Sequence, residues 1–366
     1  MLVFILRFNL FLKCSVFFLF FHINQVLSET FHTFYGNIDV TEPVLLELIH
    51  SSAFQRLKSI HQYGVSYYIG THTEEYNRFD HSIGVFVVLR KKGASLEEQV
   101  AGLLHDISHT TFSHVSDWVF KHYQEDDYHS FIHNFYLATS GIEKILNKYG
   151  FTIEQISPKN PKFKMLEQPL PDLCADRIDY NIQGAYFQNF ITLEEAHAIL
   201  QDLSFENGEW VLKNKDLALK LANFSLFMTK DCWGSALNHM ASQYLAEAIL
   251  RGLSIGLISW NEFHLGTDQK IWESLILSQD PFIKEKIDLL KNPKSHYNVV
   301  NSSEASIFVK FKCRGIDPWV NQKGKNQRLS SIDPIFRLAF QELKDFSKTG
   351  WPIKIFVSDK KAIGRE

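Results

Sequence analysis

RFDHSIGVFVVLRKKGASLEEQVAGLLHDISHTTFSHVSD, residues 78–117, sets His81, His105, His109 and His114 among carboxylates on otherwise apolar helices. Asp80 can cap a helix HSIGVFVVLRKK, ended by two lysines and Gly93, which puts His81 in a first turn. Ser95 with Glu98 makes a capping box for LEEQVAGLLHDISH. Leu96, Val100, Leu103, Leu104 and Ile107 form the apolar face of that helix, and the pair His105-Asp106 arrives near its end. His109, His114 and Asp117 follow within a dozen residues.

The flanking sequence is helical in the same way. Upstream, Phe31–Val40 alternates like a strand or hairpin with a turn at Tyr35-Gly36-Asn37. Pro43 opens a helix with Thr41 as a cap, and a second helix is predicted from Ser52 through Tyr63, stopped by Gly64. The segment from Val65 to Arg78 reads as a loop. Downstream, helices are predicted at about 113–123, over HSFIHNFYLATS, GIEKILNKYG, DLCADRIDYNIQGA and LEEAHAILQDL, and as a long pair from Asp216 to about Leu257. FENGEWVLK carries a hairpin turn at Asn207-Gly208. Further helices (TDQKIWESLILS, PFIKEKIDLLK) precede a strand at 306–313, a helix over RLSSIDPIFRLAFQELKDFSK and a final strand WPIKIFVS. The expected fold is mainly α, with a small α+β C-terminal region.

The chain of 366 residues is 45% hydrophobic and 22% charged, with net charge -3, so a generally nucleic-acid-coating protein is not indicated. Cys14, Cys174, Cys232 and Cys313 are widely spaced and form no CxxC pair, which points away from a disulfide framework or a cysteine-rich zinc site. Residues 1–28 are apolar, with Arg7 and Lys13 near the front. They read either as a signal peptide or as upstream sequence from a mis-called start, and the charges interrupt them too often for a stable membrane span. We expect residues 29–262 to form the functional domain and 263–366 the C-terminal region, in a cytoplasmic protein unless the leader is a true signal.

A lone His-Asp pair carries no meaning, since roughly one is expected from this composition. His72, His122 and His133 lack such company and read as ordinary histidines. What gives His105-Asp106 weight is His81 on the preceding helix and Asp176 in ADRIDY on a later one. Three helices can gather these two imidazoles and two carboxylates around one cation. A mixed nitrogen and oxygen set suits Mn, Fe, Zn or Ni better than Ca or Mg. Such an ion activates water and neutralises phosphate oxygens, and the remaining histidines can protonate a leaving oxygen. Asp117, three residues after His114, can orient it on one helix face. Asp176 and Asp179, each taken alone, read as helix-face charges beside Arg177.

With FQRLKSIHQYG (54–64), NRFDHSIGV (77–85), LLHDISHTTFSH (103–114) and ADRIDY (175–180), the order H…HD…D resembles the HD-domain metal-dependent phosphohydrolases. The finer likeness is to the deoxynucleoside-triphosphate triphosphohydrolase (dGTPase-like) branch, from about Phe31 past Tyr180. The pieces GIDPW and GWPIKIF also look like the tail of bacterial members. The resemblance implies an HD-type helical bundle with one divalent transition metal on His81, His105, Asp106 and Asp176. It implies His114 as general acid with Asp117 behind it, and His109 and His129 toward the phosphates. Gln62, Arg78 and Tyr180 are implied to bind substrate. The implied partners are a nucleotide substrate and further copies of the chain.

The chain also departs from the pattern. Ser130 stands where an acidic residue often follows the histidine matched by His129, and Gln183 and Gly184 replace an expected Arg and Asp. Residues 229–239 offer only Lys230 and His239 for a substrate-binding segment. The expected activity is hydrolysis of a dNTP to deoxynucleoside and triphosphate. The rivals are a phosphohydrolase for a nucleoside monophosphate or oligonucleotide, and a catalytically weak nucleotide-binding module.

Overall fold

A computed structural model describes residues 28–121 and 127–356. The leader expected over 1–28 lies outside these residues except for Ser28, as does His122. A hairpin of β1 (Glu29–Thr33) and β2 (Gly36–Val40) opens the described chain, with Phe31 opposite Ile38. Then come α1 (Pro43–His50), α2 (Ser52–Gln55), α3 (Val65–Tyr68), α4 (Arg78–Lys91), α5 (Leu96–Leu104), α6 (Val115–Val119), α7 (Tyr128–Thr139) and α8 (Ile142–Lys148). The middle of the chain holds α9 (Ala175–Phe187), α10 (Leu193–Asp202), β3 (Ser204–Glu206), β4 (Glu209–Leu212), α11 (Lys215–Phe227) and α12 (Ala236–Ser254). A π-helical turn at Met228–Trp233 joins the last two. The C-terminal part runs α13 (Trp260–Leu265), α14 (Asp268–Leu277), α15 (Pro281–Lys291), β5 (Tyr297–Val299), β6 (Ile307–Val309), β7 (Trp319–Gln322), β8 (Lys325–Arg328), α16 (Leu329–Ile332), α17 (Pro334–Thr349) and β9 (Trp351–Ile355).

The architecture is organised by α4. From His81 to Leu89 every residue of this helix is buried, as expected for a helix apolar on all sides at the centre of a bundle. α5 and α9 pack against it. α5 returns antiparallel to α4, so its C-terminus comes back to His81. α9 packs across α4, with Asp179 and Gln183 next to Gly84 and Phe187 against Tyr76. The start of α4, the end of α5 and the start of α9 therefore meet at one end of the bundle.

Several local readings shift for identifiable reasons. The helix predicted through Tyr63 stops after a 3-10 turn at Arg56–Ser59. Beyond it the backbone pairs with the strand-like run before α4: Arg78 N donates to Ile60 O at 2.9 Å and Gln62 N to Tyr76 O at 2.9 Å. Asn77, not Asp80, caps α4, accepting from Asp80 N. α5 ends at Leu104, so His105 to His114 form turns and not a helix. The helix predicted from Arg328 breaks at Asp333-Pro334, where proline starts a new helix with Asp333 as its cap. The β7–β8 hairpin was not anticipated; its turn residues Lys323 and Gly324 both take positive φ. The Asn207-Gly208 hairpin forms as read, and β7 joins it by pairing parallel to β4. β9 sits between β5 and β6 in a second small sheet.

Two apolar cores result. One surrounds α4, α5, α9, α10 and α11 and takes in Ile316, Val320, Leu329 and Phe336. The other surrounds α12, α14 and α15 and takes in Val65, Phe112, Val115 and Val119. The turns after α5 cross from Ile107 in the first core to Phe112 in the second, and Asp268 pins them there. Its buried carboxylate accepts from Phe112 N at 2.7 Å and His61 N at 2.9 Å. Burial pushes that carboxyl up to about 7, against the pull of the two N–H groups and of Arg56 and Arg78. Because this lies above the unfolded value of about 4, its share of stability is present below that pH and lost as pH rises through the folded value. Chemical denaturation of Asp268→Asn should lack this loss between about pH 4 and 7. Asp268→Ala, which strands both donors, should cost about 2–4 kcal/mol.

Candidate active site

Four ligand atoms converge where the three helices meet. His81 Nε2 lies 3.2 Å from His105 Nε2, 3.0 Å from Asp176 Oδ1 and 3.5 Å from Asp106 Oδ2. His105 Nε2 stands 3.5 Å from both Asp106 Oδ1 and Asp176 Oδ1. The ring orientations are set from behind. His105 Nδ1 bonds to Gly102 O at 2.7 Å, within its own helix turn. His81 Nδ1 lies 2.7 Å from Asp179 Oδ2. Both imidazoles thus turn Nε2 inward, the arrangement in which a metal-binding histidine is fixed by a second partner.

Electrostatics favours a cation at this point. Burial opposes charge on His81, yet Asp176, Asp179 and Asp106 outweigh it and draw its pKa up to about 10. Asp106 is held well below the usual carboxylate range despite burial, by His105, Arg78 and His109. Among the described residues, the permanent cation in contact with these carboxylates is Arg78, whose Nη1 reaches Asp106 Oδ2 at 2.5 Å. The donor types, their spacing and the surplus of negative charge fit one divalent ion. His81, His105 and Asp106 could hold it from the buried side, with Asp176, 27% exposed, completing the set.

Beside this cluster lies a row of imidazoles. His109 and His129 stack at 3.9 Å between ring centroids, and His114 stands edge-on to His109 at 5.0 Å. Phe112 (φ 59) and Ser113 (φ 54) put two consecutive non-glycine residues in the left-handed region and reverse the chain between His109 and His114. That geometry is held by Asp268 and by Ser113 Oγ, which donates to His61 O at 2.6 Å and accepts from Arg78 Nε at 3.0 Å. Arg56 adds bonds to the carbonyls of His109, His264 and Gly266. His109 is fully buried, and burial with Arg78 and His129 nearby holds its pKa well below the ordinary value. Its Nε2 lies 3.3 Å from Asp106 Oδ1, and neither ring nitrogen finds a hydrogen-bond partner among the described residues. His129 is lowered to about 4, chiefly by burial. His114 is different: its side chain is 43% exposed, and its Nδ1 lies 3.0 Å from Asp117 Oδ2. Asp117 is itself fixed by Tyr128 N at 2.6 Å.

The other sequence candidates are placed as follows. Arg78 is buried against Asp106 and Ser113, and Gln62 lies beside it with its carbonyl 3.5 Å from Arg78 Nη2. Tyr180 lies 6.4 Å from the His81 ring and edge-on to Trp233 at 5.3 Å. Lys230 sits over the rings of Phe346 and Trp351, and His239 packs edge-on to Trp118.

Sequence reading missed Asp179, which is fully buried and not a helix-face charge. It accepts from Tyr35 OH at 2.9 Å, Tyr76 OH at 3.2 Å and Gln183 Nε2 at 2.9 Å. Its spacing of three from Asp176, on the same helix face, was the available signal. Gly84 was missed with it: a Cβ there would lie 1.9 Å from Asp179 Oδ1.

An HD domain family model matches residues 78–181. The chain is 34% identical over 311 residues to the uncharacterized protein YdhJ of Bacillus subtilis, covering 82% of this chain and 92% of that one. It is 32% identical over 303 residues to the metal-dependent phosphohydrolase cns2 of Cordyceps militaris, covering 80% and 85%. A deoxynucleoside triphosphate triphosphohydrolase, SAMHD1 of Xenopus laevis, is 29% identical over 153 residues, 36% of this chain and 23% of that one. A hypothetical protein from Aquifex aeolicus shares the fold with TM-score 0.63 at 17% identity, covering 87% of this chain and 99% of its own. The chain belongs to the HD-domain metal-dependent phosphohydrolases. No helix among the described residues is long and apolar enough to cross a membrane.

Asp179→Asn should weaken Mn affinity about 10–100-fold, read by calorimetric titration, because it takes the charge off the group that fixes the His81 tautomer and sets an NH2 against other donors. Gly84→Ala should lower thermal stability by about 1–3 kcal/mol and weaken the same affinity, since α9 must move off α4.

Proposed function

We propose that the chain hydrolyses nucleotides, with a deoxynucleoside triphosphate as substrate and deoxynucleoside and inorganic triphosphate as products. The observation that carries this reading is the four-atom cluster set beside a row of three imidazoles, one of them open to solvent. His81, His105, Asp106 and Asp176 would hold one divalent ion, and Mn, Fe, Zn or Ni suit the donor set. When bound, the ion supplies Lewis acidity toward water and phosphate oxygens.

The chain's own side chains then divide the work. His109 and His129, kept neutral by burial, offer N–H donors to phosphate oxygens without bringing a charge of their own. His114 is the acid: Asp117 fixes Nδ1, which leaves Nε2 free to protonate the 5′ oxygen as its bond to phosphorus breaks and the bond from water forms. Gln62, Arg78 and Tyr180 are assigned to the α-phosphate and nucleoside side. The likeness to a deoxynucleoside triphosphate triphosphohydrolase supports the substrate class over the part of the chain it covers.

A second reading, hydrolysis of a nucleoside monophosphate or an oligonucleotide end, draws support from α9 and the π-helical turn. Arg177 donates to the carbonyls of Gln168 and Asp172, Gln183 serves Asp179, and Lys230 is engaged by aromatic rings. These elements offer little to a triphosphate. Product analysis of Mn-supplemented protein with a nucleotide panel separates the two: inorganic triphosphate is expected, and orthophosphate alone would sink the first reading. His114→Ala should lower kcat about 10²–10⁴-fold with a smaller effect on KM. The double variant His105→Ala with Asp106→Ala should abolish turnover; an unchanged cellular phenotype would instead favour a nucleotide-binding module. A homo-oligomer is part of the same reading, and light scattering of the purified protein tests it.

A further inference from the structure

Among the described residues, three arginines near the site already bond to protein groups, including Arg78, which is also assigned to the α-phosphate side. Arg78 serves Asp106 and Ser113, Arg56 holds the carbonyls of His109, His264 and Gly266, and Arg177 holds those of Gln168 and Asp172. Arg314 is placed differently. Its Nη2 lies 3.6 Å from Asp127 Oδ1, beyond hydrogen-bond range, and its side chain remains 30% exposed. A guanidinium has five N–H donors in a planar fork, so one loose contact leaves most of them free for an oxyanion.

The location of Arg314 gives that availability meaning. Asp127 is the N-cap residue of α7, the helix that carries His129, and lies 3.9 Å from His114 Nδ1. Burial disfavours its charge, but His114, Arg314, His129 and Lys312 outweigh this and hold it ionised. Arg314 is also among the charges acting on the Tyr180 hydroxyl, in the helix that carries Asp176. Arg314 therefore stands at the N-terminus of α7, beside the residues that flank His114 and His129, and Lys312 adds a second positive charge on that side.

The backbone that presents Arg314 is held on both sides. Ser225 Oγ donates to Arg314 O at 3.4 Å. A Cβ at Gly315 would meet Leu226, Leu343 and Phe340 at 3.0–3.2 Å, and Ile316 is fully buried. Asp317 N donates to Pro171 O at 3.0 Å, and its carboxylate accepts from Ser330 N and Oγ at 2.9 and 2.6 Å. This segment lies well outside residues 78–181 and docks just ahead of α9. The backbone that carries the guanidinium is thus already ordered, so the side chain alone has freedom to lose on meeting a ligand.

We propose that Arg314 is a substrate-binding residue, supplied by the C-terminal region, that grips the phosphate groups extending away from the four-atom cluster. The proposal rests on the nucleotide-hydrolase reading and supplies a cation that α9 and the π-helical turn do not. Bidentate pairing of guanidinium with phosphate oxygens would set orientation as well as affinity.

Inorganic triphosphate is the probe, titrated calorimetrically into the Mn-supplemented full chain. Arg314→Ala should weaken its binding about 10–100-fold, with Arg314→Lys intermediate. With a deoxynucleoside triphosphate the same variant should raise KM far more than it lowers kcat, the split expected when binding is lost in ground and transition states alike. Arg314→Gln, which keeps the side-chain bulk, replaces Arg314→Ala if the latter fails to fold. Triphosphate affinity in the folded variant within about twofold of wild type overturns the proposal, as does a wild-type protein that binds no triphosphate. The products released by the wild type bear on the other reading alone: triphosphate binding lost with Arg314, beside orthophosphate as the sole product, would remove the triphosphohydrolase assignment and leave Arg314 standing.

Discussion

A buried carboxylate on α9 holds the site together. Asp179 has no solvent exposure, and a carboxyl group in such a place is costly unless its oxygens find hydrogen-bond partners. Four side chains match it: Tyr35 from the N-terminal hairpin turn, Tyr76 from the run before α4, His81 from α4 and Gln183 from α9 itself. The two tyrosines stay protonated, pushed well above the ordinary value by burial and by Asp179. The contact also requires α9 to lie hard against α4, which the missing Cβ of Gly84 permits. Once that approach is made, Asp176, one turn earlier, has to stand beside His81.

The second half of the site depends on a different constraint. The turns from His105 to His114 leave the first core and enter the second, through two residues in a conformation that non-glycine side chains rarely adopt. Asp268 and the carbonyl of Phe263 hold those turns from the α13–α14 side, where Thr111 N donates to Phe263 O at 3.2 Å, and Arg56 holds them from the turn after α2. The C-terminal region is therefore built into the active site from behind. Arg314 extends the same logic to the front, where the segment that carries it is docked on residue 171, ahead of α9.

How much of this was legible varies by residue. The apolar helices of the bundle, the Asn207-Gly208 hairpin and the mainly helical fold with a small α+β end follow from periodicity and turn chemistry, which are local. His81, His105, Asp106 and Asp176 stood out by order and company, and they lie together as one cluster. Asp179 did not stand out, because a carboxylate beside Arg177 looks the same in sequence whether it meets water or two tyrosines. The end of α5 at Leu104 was also hidden, since apolar spacing continues through Ile107 while tertiary bonds to Asp268 and Ser113 impose the turns. Gln183 and Gly184 registered only as departures from a pattern; in the structure one serves Asp179 and the other packs beside Phe224 and Tyr63.

By itself the sequence pointed to the class of chemistry: two imidazoles and two carboxylates in the order H…HD…D, with the stretches around them, resemble the metal-dependent phosphohydrolases. Tertiary structure alone decided which nitrogen of each imidazole faces that point, and that Arg314 of the C-terminal region stands beside the start of α7. The physical reason is range. Helix periodicity and capping act over a few residues and are written along the chain. The tautomer of His81 and the reach of Arg314 are set by partners about a hundred residues or more away, through burial and hydrogen bonds that no local pattern records.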